Sequence, residues 1–82
     1  MIFRLDLTQC YRLSRDALQH TLPKLHFLRV LHLGGHKSVD DGLLDQCLAS
    51  LTQLESLSVP KCNGISPVTL DHAIATQVRV VI

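Results

Sequence analysis

LRVLHL, residues Leu28 to Leu33, spaces Leu28, Leu31 and Leu33 as a short strand spaces the side chains it must bury. Moved back by 26 residues, the pattern falls on Ile2, Leu5 and Leu7; moved forward by 26, it falls on Leu54, Leu57 and Val59. Self-similarity at this period predicts a solenoid of strand-loop-helix units, because a unit of this size cannot bury its apolar face alone and must stack on its neighbours. The expected units are residues 2–27, 28–53 and 54–79 of a single domain, with the start of a fourth strand at 80–82.

Further columns extend the register. Leu13, Val39 and Ile65 are 26 apart, as are Leu18, Leu44 and Leu70, and Leu22, Leu48 and Ile74. Each column is expected to form one ladder of the core. Ser14, Asp40 and Ser66 stand where helix caps are needed, Asp40 and Asp41 suit the positive end of a helix dipole, and Pro67 suits a first helical turn. The first helix should bury Leu18 and Leu22 and stop at Pro23; the second should bury Leu44, Leu48 and Leu51; Leu70 and Ile74 should continue the stripe in the third. Gly34-Gly35 and Asn63-Gly64 mark turns, and Pro60 should follow the buried part of its strand. Two registers are open for the last strand: strict spacing starts it at Val80, while the Val78 to Val81 spacing implies a last unit one residue longer.

Composition agrees with thin stacked layers. Hydrophobic residues make up 46% and aromatics 4% with no Trp, so the core is built from Leu, Val and Ile. A net charge of +1, without runs of Lys and Arg, gives no field to steer a polyanion, which argues against nucleic acid as a partner. No apolar run approaches the roughly 20 residues of a membrane span, and the opening MIFRLDL lacks the long apolar region of a signal peptide. Three cysteines without CxxC spacing argue against a disulfide framework, so the expected compartment is reducing, cytoplasmic or nuclear.

LDLTQCYRLSRDAL (Leu5 to Leu18), LHLGGHKSVDDGLL (Leu31 to Leu44) and LSVPKCNGISPVTL (Leu57 to Leu70) resemble leucine-rich repeats of the cysteine-containing type, as found in the substrate-reading half of F-box adaptor proteins of ubiquitin ligases. Cys10 and Cys62 match the family's cysteine, His36 replaces it in the middle unit, and Pro67 departs from the acidic residue often found there. The resemblance implies an α/β solenoid with a parallel sheet on its concave side, helices on its convex side, and a non-enzymatic role in binding a protein partner. The F-box itself has no match in these residues.

Cys10, His36 and Cys62 carry zinc-ligand chemistry but occupy one position in successive layers. Neighbours would be about 4.8 Å apart and the outer pair about 9.6 Å, too far for one tetrahedral ion and beyond the roughly 7 Å Cα limit of a disulfide. No metal, cofactor or catalytic pair is therefore expected; each side chain should turn inward and hydrogen-bond loop backbone, although His36, larger than a thiol, could instead point outward or distort its layer. Cys47 reads as a small apolar helix residue, and His20, His26 and His72 as solvated ones.

The candidate binding residues come from strand parity. With Leu5, Leu31 and Leu57 inward, their neighbours face the other side of the sheet in the columns Arg4/Val30/Ser56, Asp6/His32/Ser58 and Thr8/Gly34/Pro60. Asp6 beside His32 could form a charge-assisted contact across strands. Gly34 and Pro60 should leave the third column shallow. The open solenoid ends are the second candidate surface, for self-association or for docking into a larger complex.

Overall fold

The computed structural model describes residues 2–10, 12–62 and 64–82. Four three-residue strands, β1 (Arg4–Asp6), β2 (Val30–His32), β3 (Ser56–Ser58) and β4 (Arg79–Val81), form one parallel sheet in chain order. The helices α1 (Arg15–Thr21), α2 (Asp41–Ser50) and α3 (Pro67–Ala75) are the crossovers between them. In all three crossovers the first helical residue follows the first strand residue by eleven positions: Arg4 to Arg15, Val30 to Asp41 and Ser56 to Pro67.

The expected strand register holds across the first three strands, where Leu5, Leu31 and Leu57 are directly in line. Leu31 and Leu57 are buried, while Leu5 on the edge strand is only partly so. The connection leaving each strand is also repeated. Gln9, Gly35 and Lys61, 26 residues apart, all adopt left-handed backbone, at φ of 60°, 82° and 61°. Only the middle turn carries the glycine that this conformation favours. Asn63, half of the expected Asn63-Gly64 turn, lies outside the described residues; Gly64 forms a parallel bridge to Asp40.

Two of the three expected caps form as read. The Ser14 hydroxyl accepts from Ala17 N–H at 3.1 Å, and the Asp40 carboxylate from Leu43 N–H at 2.9 Å. Ser66 occupies the third cap position without a side-chain capping bond; its own N–H donates to Asp41 Oδ1 at 2.7 Å. Pro23 sits within a 3-10 turn, Leu22–Lys24, that continues directly from α1.

The helix columns depart from strict arithmetic. Leu18 and Leu22 are buried, but Leu48 is only partly so, Leu70 is half-buried and Ile74 is 61% exposed. Leu43, Cys47, Thr69 and Ala73 are buried instead. Two adjacent stripes run along the helices, and only α2, packed against the Leu22–Lys24 turn on one side and α3 on the other, has a neighbour beside both. Ala17/Leu43/Thr69 and Thr21/Cys47/Ala73 become better covered along the chain, whereas Leu18/Leu44/Leu70 and Leu22/Leu48/Ile74 become less so. Among the described residues no helix follows α3, so its second stripe stays open.

The last strand takes neither of the two expected registers. Val80 lies opposite Leu57, so the third unit advances 23 residues where the first two advance 26. The shortening follows the start of α3, which ends in a Schellman turn. Gln77 is left-handed at φ 66°, its N–H donates to Ile74 O at 3.0 Å, and Val78 N–H donates to Ala73 O at 3.0 Å. Val78 and Ala73 are both buried, supplying the apolar contact that accompanies this motif. Gln77 lacks the glycine that signals such a stop, so the local sequence does not announce it.

Candidate functional site: the sheet face opposite the helices

The sheet gathers its outward side chains into rows running across the strands. Arg4, Val30, Ser56 and Arg79 are in register in one row, and Asp6, His32, Ser58 and Val81 in the next. The first three members of each row are those expected from parity. Arg79 and Val81 were not, because the short third unit brings them into line. All eight remain at least partly exposed. Thr8 is exposed at the end of the third column.

Asp6 and His32 are register partners, but the expected charge-assisted contact between them is replaced by a local one. Asp6 Oδ1 accepts Thr8 N–H at 3.0 Å, an Asx-type turn leaving β1. The Thr8 hydroxyl first, and then this N–H, hold the Asp6 carboxyl below its usual range, with the charges of His32 and Arg4 adding less. Asp6 is thus a fixed anion at the edge of its row. A two-residue turn outcompetes the cross-strand contact because Thr8 is already positioned by the chain.

The third column is closed. Gly34 is buried, and a Cβ placed there would lie 2.8 Å from Cγ and 3.2 Å from Cδ of Pro60, and 3.4 Å from Cγ2 of Thr8. The proline ring crosses the space a side chain at position 34 would need.

Behind this column lie the three residues with ligand-like chemistry. His36 is 2% exposed, and its Nε2–H donates to the Leu7 carbonyl; the ring therefore turns inward onto loop backbone, as expected for this column, and does not take the outward alternative. The carbonyl acceptor requires the proton on Nε2. Cys62 Sγ donates to Leu33 O at 3.1 Å. Both bonds span 29 residues and tie each loop to the preceding strand's exit. Cys10, in the first loop, is exposed; among the described residues no strand precedes β1 to offer it the corresponding carbonyl. Burial pushes the Cys62 thiol up, against the opposing N–H groups of His36 and Gly35, and pushes Cys47 up to about 11. Neutral thiols engaged with carbonyls are poor nucleophiles.

Two other arginines are engaged within the chain. Arg15 pairs with Asp40, and the Arg29 guanidinium lies 5.1 Å from the centre of the Phe3 ring, a cation–π distance. Arg4 and Arg79 make no ion pair among the described residues.

A second surface lies beside α3, where Val59, Lys61, Cys62, Ile65, Leu70 and Ile82 line a cavity of about 290 Å³. Ile74, Val81 and Ile82 are exposed on the same part of the chain, and Ile2 and Phe3 beside the opposite edge strand. Among the described residues no helix is long and apolar enough to cross a membrane. No protein-family model matches the chain, and a search of curated proteins finds no significant match.

Proposed function

We propose that the chain is a leucine-rich-repeat segment, similar to the substrate-reading repeats of F-box adaptors, that acts as a non-enzymatic protein-interaction module. Its binding surface is the sheet face bearing Arg4, Asp6, Thr8, Val30, His32, Ser56 and Ser58. The observation that carries this reading is the pair of in-register rows, whose side chains are presented by a hydrogen-bonded sheet and remain accessible. Rigid strands present side chains with little loss of conformational freedom on binding.

The test is affinity capture with the intact chain and with the charge-reversed pair Asp6→Lys and His32→Glu. Reduced capture with unchanged far-ultraviolet dichroism is expected. Equal capture by the variant removes the face from consideration.

The apolar residues at the two sheet edges favour a second reading, in which the ends of the solenoid dock into a larger assembly. Light scattering across a wide concentration range discriminates this reading, which requires association through the first and last strands. A concentration-independent monomer counts against self-association.

A further inference from the structure

The row Arg4, Val30, Ser56, Arg79 has a cation at each end and neutral side chains between. We propose that it recognises an extended acidic segment of a protein, laid across the strands, with two carboxylates four residues apart and a small aliphatic residue midway. This inference rests on the reading of the sheet face as a protein-binding surface and names the partner's chemistry.

The spacing follows from two periodicities. Arg4 and Arg79 are three strands apart, about 14 Å at the usual spacing of about 4.8 Å. An extended peptide rises about 3.3 Å per residue and returns a side chain to the same face at every second position. Residues i and i+4 are therefore about 13 Å apart and on one face, within reach of two flexible arginines. Residue i+2 falls over Val30 and Ser56, both half-buried, which leaves room for a side chain such as Val.

Three observations favour this orientation. The backbones of β2 and β3 are paired on both sides, so a segment over the sheet is read through side chains. Neither terminal arginine of the row is engaged in an ion pair among the described residues, unlike Arg15, and neither stacks on an aromatic ring, unlike Arg29. The fixed anion Asp6 lies in the adjacent row on the β1 side, where it repels a carboxylate displaced by one row and so sets the register of the ligand.

The test is fluorescence anisotropy with labelled peptides of the patterns Glu-Thr-Val-Thr-Glu and Glu-Thr-Val-Glu-Thr, titrated with the full chain. The first should bind saturably, and the second, with its carboxylates on opposite faces, about tenfold more weakly. Arg4→Gln and Arg79→Gln should each weaken the first peptide about threefold, as expected for exposed ion pairs, and the double variant about tenfold. Raising the salt should erode the difference. Equal affinity for the two peptides, no saturable binding, an Arg79→Gln variant that binds like the parent, or tighter binding of a single-stranded oligonucleotide would each overturn the proposal. If the peptides fail while Asp6→Lys/His32→Glu still weakens partner capture, the acidic-segment inference falls and the sheet-face reading stands; if capture is also unchanged, both fall.

Discussion

Arg15 holds Asp40 through two bonds, Nε to Oδ2 at 3.1 Å and Nη2 to Oδ1 at 3.2 Å, while the same carboxylate caps α2 through Leu43 N–H. The third guanidinium nitrogen, Nη1, donates to Gln19 Oε1 at 2.8 Å. The first residue of one helix thereby grips the cap of the next. The relation recurs one unit later, where Asp41, the first residue of α2, accepts from the N–H of the α3 cap Ser66. Helix starts are thus linked in sequence along the layer by side chains that also satisfy helix ends.

Asp40→Ala should lower stability by about 1–2 kcal/mol in urea denaturation, chiefly through the lost cap. Arg15→Gln should shift the midpoint less, because the pair is 39% and 44% exposed and screened by water. An Arg15 effect equal to that of Asp40 would show that the ion pair, not the cap, dominates.

Asp40, Asp41 and Asp6 are all held below the ordinary carboxyl value of 3.8, by Arg15, by the Ser66 N–H and by Thr8 respectively as the largest causes. A depressed folded-state value means that the unfolded chain binds protons first. The stabilisation is therefore present above about pH 4 and lost as pH falls through the folded values. Equilibrium unfolding between pH 5 and pH 2 should show this decline, steepened in the parent relative to Asp40→Asn.

Cys47 behaves in the opposite sense. Its neutral thiol is favoured in the fold, so its contribution is full below the unfolded value near 9 and falls as pH climbs toward about 11. With a thiol reagent at pH 8, Cys10 should react first, Cys62 more slowly, and Cys47 only on unfolding. Labelling of Cys47 at the rate of Cys10 would contradict its burial.

Gly34→Ala should destabilise by about 1–3 kcal/mol, since its Cβ meets the rigid Pro60 ring at 2.8 Å. Pro60→Ala in the same chain should recover part of the loss. Additive effects in this double-mutant cycle would mean that the proline is not the obstacle.

Ala73 and Ile74 separate the two stripes of α3. Ala73→Leu overfills a site that is 1% exposed and should cost about 1–3 kcal/mol, whereas Ile74→Gln, at a site 61% exposed, should stay within about 0.5 kcal/mol. Thermal melts distinguish these outcomes, and the strict 26-residue column predicts their reverse.

The sequence by itself determined the first three strands, their order and register, and the repeated turn and cap positions between them and the helices. Leu5, Leu31 and Leu57 carry a two-residue alternation, and Ser14 and Asp40 cap their helices through bonds to residues three positions away; such information is local and survives in any context. The rows Arg4/Val30/Ser56 and Asp6/His32/Ser58 follow from the same alternation. Tertiary structure alone decided which helix stripe is covered, because Leu22 and Ile74 share a column but only Leu22 has a following helix against it. It also decided the final register. Gln77 adopts a left-handed turn without glycine's signal, sealed by the burial of Val78 against Ala73, and that turn carries Arg79 into line with Arg4. Periodicity reports which side of an element is apolar, whereas coverage by a neighbour and the length of a return loop are settled only when the layers pack.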